Sequence, residues 1–350
     1  MSATAGDAGR RRLRALFVSD LHLGYKGADV AALNALLDAF EVEQLYLVGD
    51  ILDGWKLEKR WHWTQGYCDL IDRLMTLRRR RVRITLITGN HDEKLREILP
   101  RLLRPLILRR FGIRIEERCW HRTAAGARLL VTHGDQFDGM LWRGSSRMAD
   151  RLWGWLLRLG QLWPLPARPG RRWSLGRAIL REGGGLADRY AAAAWRRTIR
   201  EDADGIVFGH SHVPMLEDRG GRWLANCGAW TRAVDGHHSA IAEASDGRLE
   251  LLRWPATPTR TPALAPQAAP LRVRHPDSAR LIRHIHALWC PTDPRPRLFS
   301  QPAEAGRQCP AALPAAADAP ILPTAATAPP LRDPLAVGGS GRHPAAMRTA

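Results

Sequence analysis

Five short apolar runs punctuate the first two-thirds of the chain, and each stops abruptly at polar residues. Residues 13–18 run into Ser19-Asp20, 45–48 into Gly49-Asp50 and 84–88 into Gly89-Asn90. Residues 129–132 run into His133-Gly134-Asp135, and 206–208 into Gly209-His210. Unbroken apolar runs bounded by turn residues predict strands buried on both faces. Between the first three lie residues 30–40 and 67–79, with apolar side chains at helical spacing. Strand–helix–strand alternation predicts parallel βαβ units and an α/β domain. In such sheets ligands bind beyond the carboxyl ends of the strands. The five polar ends are therefore expected to converge on one edge. Residues 222–226 and 249–254 read as further strands.

The pattern fades at both ends. Residues 1–12 read as a disordered basic arm. Residues 255–350 hold 18 of the 24 prolines and many alanines. Such sequence buries too little apolar surface to offset chain entropy, so a disordered tail is expected there. Within it, 281–289 has the periodicity of a turn or two of helix; His284, His286 and Cys290 beside it read as incidental. The expected folded domain is 13–254, with a helical insert at about 139–200.

Composition changes this picture in one respect. Hydrophobic residues make up 45% and charged residues 25%, ordinary for a globular protein, but the net charge is +18. Only four of the 53 basic residues are Lys. An Arg excess suits phosphate-bearing partners: nucleotides, nucleic acid or an acidic lipid surface. Five scattered cysteines without a C-x-x-C argue against a disulfide framework or cysteine-held zinc, and for a reducing compartment. The first residues lack the apolar stretch of an export signal, and no run approaches the ~20 apolar residues of a membrane span. A cytoplasmic protein is expected.

The polar strand ends carry carboxylate, imidazole and amide. They are Asp20-x-His22, Asp50 with Asp53, Asn90-His91-Asp92, His133-x-Asp135 and His210-x-His212. These are donors that borderline divalent metals accept. They suffice for two ions sharing one carboxylate, an arrangement that serves phosphoester hydrolysis.

The succession D-x-H, G-D-x-x-D, G-N-H-D, H-G-D and G-H-x-H resembles the calcineurin-like metallophosphoesterase family, from residue 15 to about 254. The resemblance implies a four-layer αββα sandwich and two divalent ions, usually Mn²⁺. It implies that Asp20, His22, Asp50 and His212 hold one ion, and Asp50, Asn90, His133 and His210 the other, with Asp50 bridging. His91 falls where many members keep a histidine that contacts the phosphate or protonates the leaving oxygen. Asp53 and Asp135 either orient ligand histidines or cap their loops.

Gly49-Asp50-x-x-Asp53-x-Trp55 is similar to the UDP-2,3-diacylglucosamine diphosphatase branch of that family. The branch cleaves a pyrophosphate in lipid A biosynthesis, giving UMP and a lipid monophosphate. Where that branch usually has Arg, this chain has His91. The insert adds 13 Arg against three acidic residues and six of the 14 tryptophans. Arg147, Arg151 and Arg158 fall on one helical stripe, with Leu152, Trp153, Trp155 and Leu156 opposite. This suits a lid that contacts an acyl chain or the inner membrane face peripherally, with Arg147, Arg151, Trp153 and Trp155 as substrate-binding candidates. Ordinary packing of the insert is the plain alternative. A general phosphodiesterase or nuclease is the enzymatic rival, because basic residues interleaved with aromatics also suit single-stranded nucleic acid. A non-enzymatic scaffold would be expected to have lost ligands, and all seven positions are present.

Overall fold

Strands form where the apolar runs lie. The computed structural model describes residues 10–98, 110–138, 184–257 (save 232, 234 and 235) and 271–290. The first sheet has six strands in the order β11-β10-β1-β2-β3-β4. They are β1 (Arg11–Val18), β2 (Phe40–Val48), β3 (Arg83–Ile87), β4 (Ile113–Glu116), β10 (His237–Glu243) and β11 (Leu249–Pro255). The first four run parallel, while β10 and β11 complete the sheet antiparallel. The second sheet, β5-β6-β7-β9-β8, pairs β6 (Arg128–Thr132), β7 (Gly205–Phe208) and β9 (Arg222–Asn226) in parallel. Its antiparallel edges are β5 (Arg118–Arg122) and β8 (Met215–Arg219).

The two sheets pack face to face. Ala15 and Phe17 of β1 point inward with Tyr46, Val48, Ile87, Val131, Val207 and Ile241. Their neighbours Leu16 and Val18 point outward into a second apolar layer. A strand with an apolar layer on each face reads as a continuous run, not an alternation. Over the outer face of the first sheet lie α1 (Val30–Ala39), α2 (Gly54–Lys59) and α3 (Gln65–Arg79). Asp29 and Thr64 cap α1 and α3 through their side chains. A short α4 (Glu93–Ile98) follows the third polar end. The second sheet is covered by α5 (Gly184–Arg200), whose Ala194, Tyr190 and Trp195 meet Ile206, Phe208 and Leu224. The result is the four-layer αββα sandwich.

Four differences from the sequence reading have physical reasons. The arm expected through residue 12 is shorter, because Arg11 and Arg12 already pair with Phe40 and Glu41 in β1–β2. Strands β4, β5, β8 and β10 are short, edge or polar-rich, so no long apolar run marked them. The described end of the insert, α5, packs as an outer layer on the second sheet, and the rest of the expected lid, residues 139–183, lies outside the described residues. The stretch 271–290, read as tail, holds α6 (Pro276–Trp289), a four-turn helix docked on α3 and α2. Ile282, Ile285 and Trp289 are buried there at helical spacing. A Pro/Ala-rich neighbourhood concealed one amphipathic helix with its own place in the core.

Candidate metal centre

The polar ends of β1, β2, β3, β6 and β7 do converge. Backbone bonds zip the first two together: Asp20 N–H donates to Gly49 O at 3.1 Å, His22 N–H to Asp50 O at 2.9 Å and Leu23 N–H to Ile51 O at 2.9 Å. The third end is clamped to the second by Asp92. Its buried carboxylate accepts from Ile51 N at 3.1 Å, Leu52 N at 2.9 Å and Gly89 N at 3.3 Å. Burial and the charge of Asp50 push the Asp92 carboxyl up to about 6, against those three N–H groups.

Asp50 sits at the middle. Its Oδ2 lies 3.3 Å from His133 Nε2, 3.7 Å from His22 Nε2 and 3.9 Å from His91 Nε2. Its Oδ1 accepts from His91 N at 2.8 Å. Asp20 Oδ1 lies 3.0 Å from His212 Nε2 and 3.7 Å from His22 Nε2. Three sets of donor atoms thus cluster within 4.8 Å: Asp20–His22–His212, His22–Asp50–His91 and Asp50–His133–His210. Together they contain six of the seven ligand candidates, and Asn90 lies between Gly89 and His91 on the third end. His212 is exposed at the rim, while Asp20, His22, Asp50 and His133 are buried.

Two further observations bear on whether metal ions fit. Asp20 Oδ1, His22 Nε2, Asn90 Oδ1 and His133 Nε2 are buried atoms that make no hydrogen bond. Buried polar atoms are ordinarily satisfied, and these four belong to residues at the centre and offer the lone pairs a divalent cation takes. The backbone is also strained here. Asp20, His22, Asp50, His210 and His212 have φ between 48° and 66°, five of the seven non-glycine residues with positive φ among those described. Each such residue costs about 1–3 kcal/mol and persists where the surroundings dictate it, commonly at functional sites. The donor set fits a metal centre.

Charge follows from this crowding. Burial disfavours the imidazolium form of His22 and His133, but the carboxylates around them prevail and push both up to about 10. Burial likewise opposes ionisation of Asp20, Asp50 and Asp53, and the neighbouring imidazoles outweigh it, holding all three well below the ordinary carboxylate range.

Of the alternatives raised for Asp53, the structure shows the cap. It caps α2 at Lys56 N, 3.1 Å away, and lies 3.4 Å from His91 Nδ1 and 3.8 Å from His22 Nδ1. Asp135 does not orient a histidine; it pairs with Arg96 at 2.8 Å. His91 is further held by Trp55, whose ring lies 4.0 Å from its own. The close approach at Gly54 makes that loop possible. Gly54 N–H donates to His91 O at 3.2 Å. A Cβ on Gly54 would collide with Trp289 Nε1 and lie 2.7 Å from His91 O. Arg147, Arg151, Trp153 and Trp155 lie outside the described residues.

Sequence reasoning missed two side chains. Asp138 lies 3.0 Å from His210 Nε2 through Oδ2, and Tyr190 of α5 donates to its Oδ1. Burial raises the Asp138 carboxyl, but His210 and Tyr190 outweigh it and hold it below its ordinary value. The only signal was an Asp three residues beyond His-Gly-Asp, indistinguishable in sequence from a loop residue.

Among known proteins, the model of the calcineurin-like phosphoesterase family matches residues 13–214. No curated protein matches the chain. Solved structures similar to it include vacuolar protein sorting 29 from Cryptosporidium parvum, 14% identical, covering 70% of this chain and 92% of that one at a TM-score of 0.37. An archaeal phosphodiesterase is 11% identical, covering 68% and 98%, with a TM-score of 0.35. The E. coli phosphoesterase YfcE is 18% identical, covering 67% and 95%, with a TM-score of 0.32.

Proposed function

The chain belongs to the calcineurin-like phosphoesterase family and is a hydrolase of phosphoester bonds, and from that premise we propose a dinuclear reaction centre that cleaves the pyrophosphate of an amphiphilic nucleotide such as UDP-2,3-diacylglucosamine. The observation that carries the metal reading is the set of buried, unbonded donor atoms of Asp20, His22, Asn90 and His133, with His22 and His133 turned to Asp50. Asp20, His22, Asp50 and His212 would hold one divalent ion, and Asp50, Asn90, His133 and His210 the other. Mn²⁺ is the metal the family resemblance favours.

When bound, such ions polarise a phosphoryl oxygen and lower the pKa of an attacking water. The chain's own residues do the rest. His91 is held between Asp53 and the Trp55 ring with Nε2 toward Asp50, where it contacts the phosphate or hands a proton to the leaving oxygen. Asp53 orients that ring through Nδ1. The buried Asp92 keeps the His91 loop in register with Asp50.

The substrate reading rests on the sequence pattern Gly49-Asp50-x-x-Asp53-x-Trp55 and on the Arg/Trp-rich insert. It predicts peripheral contact with a lipid surface. No helix among the described residues is long and apolar enough to cross a membrane. The rival substrate is a nucleotide or nucleic-acid phosphodiester, favoured by His91 in place of the branch's Arg.

The test is release of UMP from UDP-2,3-diacylglucosamine in detergent with Mn²⁺, with Asp50→Ala as control. UMP release by the wild type, lost in the variant, is expected. No release from a preparation active on an aryl phosphodiester would overturn the lipid substrate and retain the centre. Steep loss of binding with salt would then point to nucleic acid.

A further inference from the structure

His210 is gripped more tightly than a loop histidine needs to be. Its N–H donates to Asp20 Oδ2 at 3.0 Å, and its φ is 66°. The His133 ring meets it edge-on with centroids 5.0 Å apart. The Tyr190 ring meets it with centroids 5.5 Å apart, and the Tyr190 hydroxyl bonds Asp138, whose other oxygen lies 3.0 Å from His210 Nε2. Phenol, carboxylate and imidazole form one chain from α5 to the centre.

A neutral imidazole carries one proton, and the partner of one nitrogen decides the role of the other. A carboxylate at Nε2 draws the proton there and leaves the Nδ1 lone pair for the cluster. His133 shows the complementary case. Its Nδ1 faces the carbonyl of Val48 at 3.1 Å, so in the neutral form that a metal ion requires the proton would sit on Nδ1 and leave Nε2, which faces Asp50, as the ligand atom. The two histidines of the Asp50–His133–His210 set thus have partners that favour opposite tautomers.

We propose that Asp138 and Tyr190 are positioning residues: Asp138 fixes the tautomer and ring plane of His210, and Tyr190 fixes Asp138, so that metal loading at the Asp50–His133–His210 half depends on the helix that closes the insert. This rests on the metal reading above. Loss of such an orienting partner typically weakens a metal site about 10–100-fold.

The experiment uses the metal-stripped full chain as wild type, Asp138→Ala, Asp138→Asn, Tyr190→Phe and His210→Ala. Bound Mn²⁺ is counted after equilibrium dialysis over a concentration series. Imidazole ¹⁵N shifts of the metal-free protein report the His210 tautomer. Two ions are expected on the wild type. Asp138→Ala should weaken one of them about 10–100-fold, leave the other, and mix the His210 tautomers. His210→Ala should weaken the same ion. Asp138→Asn should retain most of the affinity, because its amide oxygen still accepts from Nε2–H, and Tyr190→Phe should lose less than Asp138→Ala. If Asp138→Ala fails to fold, Asp138→Ser, too short to reach His210 Nε2, takes its place in the same comparison. Equal loading in all variants, loss of both ions together, or an ion lost with Asp138 but not with His210 would overturn the proposal alone. A wild type that binds no divalent ion would overturn the metal reading with it.

Discussion

Replacing Trp289 with Ala tests the part of the fold least visible in the sequence. Trp289 is 2% exposed and closes the last turn of α6 over Gly54. Lys94 Nζ donates to Leu288 O at 3.1 Å, and Cys290 Sγ approaches Leu57 O at 3.1 Å, tying the same turn to α4 and α2. Truncating a buried Trp costs about 3–5 kcal/mol. At about 2–4 °C per kcal/mol for a domain of this size, the melting temperature should fall by roughly 6–20 °C. A helix resting loosely on the surface would cost within about 0.5 kcal/mol. The effect should also reach the centre, since Gly54 contacts the His91 backbone and Trp55 covers its ring. Turnover of an aryl phosphodiester should drop at temperatures where the variant remains folded, while its metal content stays that of the wild type. The assays are thermal unfolding by circular dichroism, metal counting and steady-state kinetics. A melting shift under about 2 °C, the most a loosely resting surface residue would give, with unchanged turnover would refute the docking of α6.

Three more outcomes follow from the geometry. In Gly89→Ala, the new Cβ would collide with Asp50 Oδ1 and lie 2.5 Å from Asp50 N; overpacking costs about 1–3 kcal/mol, and metal content should fall with stability, so an Ala variant with full metal content contradicts the placement of Asp50. The His22 and His133 pKa values, raised to about 10 in the metal-free chain, give stability that is full below the unfolded value of 6.5 and lost as pH rises through 10; bound ions need those imidazoles neutral, so Mn²⁺ affinity should rise with pH across the same window, with proton release seen calorimetrically, and a flat profile counts against both as ligands. Replacing Trp153, Trp155 and Leu156 with Ser should impair a lipid substrate far more than a soluble aryl phosphodiester, and equal loss on both would make those residues structural.

The legibility of the fold followed burial. Strands β1, β2, β3, β6 and β7 lie between two apolar layers, so their sequences are continuous runs, and the residue after each run is where the backbone leaves the sheet. The candidate ligands were readable because they occupy those exits. Edge strands β4 and β5, with Arg114, Arg118 and Arg122 turned to solvent, have no such run. Helix α6 was hidden by composition, since its neighbours are proline and alanine and only its own spacing of Ile282, Ile285 and Trp289 marks it. Asp138 and Tyr190 were beyond reach for another reason. They stand 52 residues apart, and nothing local in either sequence says that they meet at His210.

The most direct test of the account is the metal stoichiometry of the purified chain, counted by elemental mass spectrometry after Mn²⁺ loading and dialysis, for wild type and Asp50→Ala side by side with aryl phosphodiester turnover. Two ions per wild-type chain are expected, with two-ion loading and turnover lost together when Asp50 is removed. An Asp50→Ala variant that keeps both ions, or turns over without them, would contradict it.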